Sequence, residues 1–169
     1  MRKPVPCLWF DEQAEAAAKF YISIFGNSKI LQTTHYGEAG PLPKGTVMTV
    51  RFRINGQEFV GLNGGPQFKF SEAVSFIVHC DTQKQLDRLW TRLSDGGAEV
   101  QCGWVKDRFG LSWQIVPTVL AKLVRDKDPG KRDRVMSALL QMKKLDIAAL
   151  KRAAAGKDGG AGIEGRKRG

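Results

Sequence analysis

One order of predicted elements, a strand, a helix and then antiparallel strands, occurs twice between Val5 and Pro117. The first occurrence has its predicted elements at 5–10, 14–24, 29–36, 46–54 and 57–63. The second has a strand at 73–80, a helix from about 83 to 95, and strands at 98–105 and 111–116. The two halves share almost no identical residues, so the repeat is one of pattern. It predicts a domain built from two similar modules.

The turns and caps support these boundaries. Asp11 is expected to cap the first helix, and Asp81 or Thr82 the second. Asn55-Gly56 lies between two predicted strands, where that pair is typical of a tight hairpin. We therefore predict an α+β fold in which the helices pack on one face of each sheet. The first module is assigned to residues 4–66 and the second to residues 67–125.

The character of the chain changes after Pro117. A short helix is predicted at 118–124, and a long helical stretch, interrupted near 144–146, at 131–155. We assign a C-terminal helical extension to residues 126–156 and a disordered basic tail to residues 157–169. The helical extension has an apolar stripe, which either lies along a symmetric partner or folds back on the sheet of its own chain. The first arrangement predicts a homodimer. The stripe comprises Val135, Met136, Leu139, Leu140 and Met142.

Charge and cysteine content narrow the classes of protein. The net charge is +10, but residues 1–128 hold 16 basic and 13 acidic residues, whereas residues 129–169 hold 11 and 4. The excess therefore lies mainly in a tail, and nucleic-acid binding is not favoured, although a polyanion-binding module remains an alternative. The three cysteines are widely spaced, and no apolar run has the length of a membrane span. We expect a cytoplasmic protein that does not bind membranes.

The segment from Trp104 to Pro117 predicts a pocket rich in aromatic groups. A turn of the form Asp-x-x-Gly, Asp107 to Gly110, separates two strands, and the second strand alternates polar or small residues with large apolar ones. Such alternation directs one set of side chains into a core and the other into a cavity.

These motifs together resemble the vicinal oxygen chelate superfamily, which includes glyoxalases, extradiol dioxygenases and bleomycin-resistance proteins. The resemblance is narrower to its PhnB-like branch, often labelled after a 3-demethylubiquinone-9 3-methyltransferase domain, and it covers residues 4–156. The matching segments are 6–11, 15–21, 62–66, 107–117, 134–136 and 145–150.

The resemblance implies a fold of two βαβββ modules whose sheets curve around a shared cup. It also implies where the superfamily's enzymes would bind a divalent metal. By chain position those sites fall near Pro6 and Ala73 on the first strands, and near Asn63 and at Gln114 on the last strands. Pro and Ala cannot bind a metal, and neutral amide oxygens are weak ligands. We therefore expect no metal site.

Candidate ligand-binding residues follow from the strand pattern. If Ala73 points into the cup, Ser75 and His79 do so as well, because alternate residues share a face. Gln114, an amide in an aromatic strand, needs a partner, which is either a ligand or neighbouring backbone. Asn63 serves a ligand or the turn that follows it. Trp104 could cover the mouth of the cup.

Other residues are expected to be structural. Trp9 and Trp113 have the opposite parity and are predicted to lie in the core beneath the helices, with Cys7 buried beside Trp9. No Gly-rich turn follows the first strand, so the sequence does not favour an adenosine-type cofactor, and we expect no cofactor.

Three functions remain open at this point. The first is a protein that binds a small organic molecule. The second is an enzyme of lyase, dioxygenase or thiol-transfer type whose base is His79, the one catalytic candidate. The third is the polyanion-binding module.

Overall fold

The computed structural model describes residues 3–157 and has two four-stranded sheets. The first module contains β1 (Cys7–Phe10), α1 (Ala14–Ile24), β2 (Lys29–His35), β3 (Val47–Ile54) and β4 (Gln57–Asn63). The second contains β5 (Ser75–Cys80), α2 (Gln83–Ser94), β6 (Ala98–Glu99), β7 (Trp104–Lys106) and β8 (Ser112–Pro117). Three helices follow: α3 (Thr118–Leu123), α4 (Pro129–Leu140) and α5 (Ile147–Ala154).

The two sheets have the same topology. Their strand orders are β1-β4-β3-β2 and β5-β8-β7-β6, with the first and last strands of each module parallel and the other pairs antiparallel. The fold class predicted from the sequence, two βαβββ modules with a C-terminal helical extension, is confirmed. Within the described residues, no helix is long and apolar enough to cross a bilayer.

Two local predictions were wrong. The first helix begins at Ala14, after Gln13 rather than after Asp11, and no side chain from its own N-terminus caps it. The predicted strand at 98–105 is divided into β6 and β7, because the chain turns through Cys102 and Gly103, whose φ angles are +60° and +83°. The second helix is capped as expected, since Thr82 and Gln85 form a capping box.

The two modules share one core between the helix-facing sides of their sheets. Tyr21 of α1 stacks on Phe52 of the first sheet with ring centroids 6.2 Å apart, and it also contacts Trp113 of the second sheet at 5.4 Å. Phe59 and Phe76 join the sheets directly at 5.2 Å. Because successive side chains in a strand point to opposite faces, the other face of each sheet points away from this core. We call the outward side of the first sheet, which carries Arg51, Arg53 and Glu58, the first open face. We call the outward side of the second sheet, which carries Ser75, Ile77 and Gln114, the second open face.

The C-terminal helices fold back onto the second module. The Gln83 side chain donates to the carbonyl oxygen of Leu145 at 3.0 Å and accepts from the Ile147 N–H at 2.9 Å. The predicted apolar stripe is partly absorbed here: Val135 is fully buried, whereas Met136 and Leu140 are 42% and 57% exposed. Of the tail predicted to be disordered, residues 158–169 lie outside the described part of the chain.

Candidate functional site

The second open face brings together four of the five predicted ligand-binding residues. Strand pairing sets Ile77 of β5 opposite Gln114 of β8, and Gln114 opposite Trp104 of β7. Ser75 and His79 lie two residues on either side of Ile77, so they share its face. These side chains therefore lie on one face of the second sheet.

A hydrogen bond between two polar side chains lies at the centre of this face. The Gln114 Nε2 donates to the Ser75 Oγ at 2.9 Å. Ile77, beside this pair, is 55% exposed, and Trp104 on the other side is half-buried. The face thus combines a small polar centre with an apolar surround.

His79 lies at the end of β5 and is exposed. Among residues 3–157 its imidazole has no hydrogen-bonding or ion-pair partner. It also borders a cavity of about 280 Å³ that lies toward the helices, beside Arg88 and Leu89 of α2. Because His79 shares the parity of Ile77 near the end of β5, it lies at the rim of the second open face.

Asn63 lies apart from the other four predicted residues. It pairs with Phe10 of β1, which is buried on the helix-facing side of the first sheet. Its Oδ1 accepts from the Ala14 N–H at 2.8 Å, and its Nδ2 donates to the Val47 carbonyl oxygen at 3.0 Å. Asn63 thus satisfies the first N–H of α1 from a neighbouring strand, where sequence reasoning had expected a cap from Asp11.

The predicted orientation of β1 was wrong. Leu8 and Phe10 are buried, whereas Cys7 is exposed and Trp9 is half-buried with its indole N–H donating to the Gly65 carbonyl oxygen at 2.8 Å. The expectation that Trp9 and Cys7 lie in the core therefore fails, while that for Trp113, which is 3% exposed, holds. All four residues of β1 are apolar, so alternation could not reveal its buried face.

The first open face carries an ion-pair group that sequence reasoning missed. Arg51 and Arg53 of β3 both contact Glu58 of β4, with N–O distances of 3.2 and 3.1 Å. These hydrogen bonds lower the pKa of the Glu58 carboxyl, and the bond from Arg53 has the larger effect. The alternation of arginines before the Asn55-Gly56 hairpin was the available signal, because the hairpin register brings Glu58 opposite Arg53.

A buried carboxylate holds the two modules together. Both side-chain oxygens of Asp107, which is 2% exposed, are bonded: Oδ1 accepts from the Phe109 and Leu111 N–H groups, and Oδ2 accepts from Tyr21 and Trp113. Burial raises the pKa of Asp107, against the four hydrogen bonds, which favour the ionised form. Asp107 is enclosed, so its role is structural.

The C-terminal extension supports the loop that precedes Trp104. The N–H groups of Cys102 and Gly103 donate to the carbonyl oxygens of Met142 and Lys143, each at 2.7 Å. A side chain at Gly103 would lie 3.0 Å from Leu145. The turn between α4 and α5 therefore fixes the start of β7, which carries a residue of the second open face.

Two further kinds of site are relevant among the described residues: a metal-binding group and other cavities. No group of three or more His, Cys, Asp or Glu side chains that could hold a metal ion occurs within residues 3–157. A cavity of about 300 Å³ lies between the modules and is lined by aromatic rings, among them Trp9, Phe68 and Phe109.

Comparisons with known proteins agree with this architecture. The family model of the 3-demethylubiquinone-9 3-methyltransferase matches residues 2–116, so the match ends near the end of β8. The solved structure of a PhnB protein from Bacillus cereus is 33% identical, with a TM-score of 0.64, over 69% of this chain and 100% of that chain. Protein PA1353 from Pseudomonas aeruginosa is 20% identical, with a TM-score of 0.57, over 69% and 98%. No curated protein matches.

Proposed function

The chain belongs to the 3-demethylubiquinone-9 3-methyltransferase family, the PhnB-like branch of the vicinal oxygen chelate superfamily, and we propose that it binds a small organic molecule on its second open face. In this proposal Ser75 and Gln114 orient the ligand, Ile77 and Trp104 contact its apolar part, and His79 contacts it from the rim. The proposed binding uses no metal and no cofactor.

The observation that carries this proposal is the hydrogen bond between Gln114 and Ser75 on an uncovered sheet face. Only one N–H of the Gln114 amide is used there, so its carbonyl oxygen can still accept and the Ser75 hydroxyl can still donate. Exposed apolar surface beside such a pair is costly in water, and a ligand with an apolar body and one polar group would cover it.

We further propose that the protein is a homodimer in which the first open face of one copy covers the second open face of the other. Ile77 and Cys7 are exposed apolar groups on the edge strands of these faces. An isologous pair of chains would bury both faces twice and enclose two ligand sites. Met136 and Leu140 of the extension are further exposed apolar groups that a partner could contact.

Asn63 is outside the proposed ligand contacts, because both atoms of its amide group are already bonded within the first module. A cytoplasmic location is part of the proposal, supported by three unpaired cysteines.

An enzymatic role is the second candidate, and His79 supports it. An exposed imidazole without a protein partner, at the rim of a ligand face, can act as a general base. His79→Gln would separate the two functions: under the binding function only the affinity for the ligand would fall in part, whereas an enzyme would lose turnover of the substrate that it still binds.

The proposal is tested by following the Gln114 side-chain amide in ¹⁵N-labelled protein during a screen of small organic fragments. Binding fragments should shift the Gln114 amide and the Trp104 indole signals together. Gln114→Leu should weaken the binding of these fragments about tenfold, as expected for one lost hydrogen bond in a desolvated site. Gln141→Leu, a matched change at an exposed position of the extension, should leave binding unchanged. Fragments that bind equally well to both variants would contradict the proposed site.

A further inference from the structure

The first open face has more positive than negative charge at its centre. Arg51 lies in the middle of this face, directly opposite Val60 of β4 and Gln32 of β2. Two arginines share the single carboxylate of Glu58, and the lowered pKa of that carboxyl keeps it ionised. The group therefore carries one net positive charge. Lys29, opposite Arg53 at the edge strand, adds another.

Within the described residues, the β5, β7 and β8 positions of the second open face include no carboxylate to balance this charge, and Asp81 lies beyond the end of β5. Among the described residues of that face, Lys106 is already paired with Glu72, which makes that pair neutral. Ser75, Ile77 and Gln114 are uncharged, and His79 can add only positive charge. Two copies whose open faces meet would therefore enclose a net positive charge.

An enclosed and unpaired charge is strongly disfavoured, because water no longer solvates it. The missing negative charge must then come with the ligand. Arg51 can accommodate it: its Nη2 donates to Glu58 and its Nη1 donates a long 3.4 Å hydrogen bond to Gln32, while other N–H groups of its guanidinium are unused. A guanidinium matches the planar oxygens of a carboxylate or the oxygens of a phosphate ester.

We propose that the ligand is an organic oxyanion, whose carboxylate or phosphate binds Arg51 on the first open face while its apolar body lies against Ile77 and Trp104 of the partner copy's second open face. This inference rests on the proposed function, and it names the chemical class of the ligand. Arg53 retains Glu58 and serves to hold that carboxylate away from the ligand.

The test compares benzoate with its neutral counterpart, benzyl alcohol, in the full-length protein, by NMR titration of the Arg51 Nε–H, the Gln114 amide and the Trp104 indole. Benzoate should shift all three signals and bind at least tenfold more tightly than benzyl alcohol. Arg51→Gln leaves Glu58 paired with Arg53 and makes the group neutral. It should remove the preference for benzoate without weakening benzyl alcohol.

Two further variants complete the design. Arg51→Lys keeps the charge but loses the planar fork, so the preference for benzoate should fall in part. Lys44→Gln removes one positive charge from an exposed loop and should change nothing.

The outcomes separate the two proposals. Equal affinity for both probes, with the Gln114 signal shifted and Arg51→Gln without effect, would overturn the oxyanion inference and leave the ligand face in place. A shift of the Arg51 signal alone would indicate a surface anion contact only and would also overturn the inference. If neither probe nor any other fragment shifted the Gln114 signal, the proposed function itself would fail.

Discussion

The phenolic hydroxyl of Tyr21 in α1 donates a 2.8 Å hydrogen bond to Oδ2 of Asp107, in the turn between β7 and β8. Eighty-six positions separate these residues, and their contact joins the two modules inside a shared core. The two modules therefore meet at a buried polar group, the Asp107 carboxylate, which is surrounded by aromatic rings. The stability of the fold depends on the hydrogen bonds that this carboxylate accepts.

Asp107→Asn should destabilise the protein strongly. The carboxylate accepts four hydrogen bonds, and an asparagine amide group would present N–H donors to two of those four donors. We expect a loss of about 2–4 kcal/mol in the free energy of unfolding, because buried donors are left unpaired. Tyr21→Phe removes only one donor and should cost about 1 kcal/mol. Urea unfolding measures both, and an equal effect of the two variants would contradict the role of Asp107.

The raised pKa of Asp107 predicts a specific pH dependence. The folded-state pKa lies above the unfolded one, so the shift contributes stability that is present below the unfolded value, near 3.9, and is lost as pH rises through the folded value. The lowered pKa values of Glu58, Asp87 and Asp126 change the stability with pH in the opposite direction, but they do so equally in the wild type and in Asp107→Asn.

The difference in unfolding free energy between wild type and Asp107→Asn therefore isolates this group. That difference should become smaller as pH rises from below the unfolded value through the folded one, and then remain constant. A difference that grew with pH over this interval would show that the pKa of Asp107 is lowered in the folded protein.

The contact between the extension and the second module can be tested at two glycines with similar backbone angles. Gly103 and Gly110 have φ angles of +83° and +87°, so alanine at either position costs about 1–2 kcal/mol in backbone strain. An added Cβ at Gly103 would also lie 2.9 Å from the Ile115 carbonyl oxygen and 3.0 Å from Leu145, whereas at Gly110 it meets open space. Gly103→Ala should therefore be clearly more destabilising in thermal unfolding.

The same pair tests the support of Trp104. In protein labelled with fluorotryptophan, Gly103→Ala should shift the ¹⁹F resonance of Trp104, and Gly110→Ala should not. Equal effects of the two variants on stability and on this resonance would contradict the account of the extension.

The proposed dimer interface predicts a charge-sensitive association. Ile77 is 55% exposed in the single chain, so Ile77→Lys should fold, yet it adds a positive charge where the partner's first open face, already positive, would lie. We expect light scattering at tens of micromolar to give a dimer for wild type and a monomer for this variant. Val74→Lys, at an exposed position before β5, is the matched control and should remain dimeric.

The sequence predicted the architecture because its local signals agreed. Parity separates the two faces of β5, since Ser75 and His79 alternate with the apolar Phe76 and Val78 on the other side. Parity failed for β1, where Cys7, Leu8, Trp9 and Phe10 are all apolar. Packing against α1 decides which face of this strand is buried.

Other features depended on partners far along the chain. The Asp107 turn was recognised, but its bond to Tyr21 depends on how the modules pack. The break between β6 and β7 depends on the carbonyl oxygens of Met142 and Lys143, about 40 residues away. The cap that Asn63 provides for α1 likewise arises from sheet geometry, which a local capping pattern does not encode.

The central claim, a ligand site built from the second open face of one copy and the first open face of another, is tested most directly by mixing two defective variants. Gln114→Leu impairs the second open face, and Val60→Trp fills the first. Each alone should bind a fragment weakly while remaining a dimer. After subunit exchange in an equal mixture, about a quarter of the sites should recover wild-type affinity, because each mixed dimer has one site free of both changes. A mixture that binds no better than either variant alone, with exchange verified by mass spectrometry, would contradict the claim.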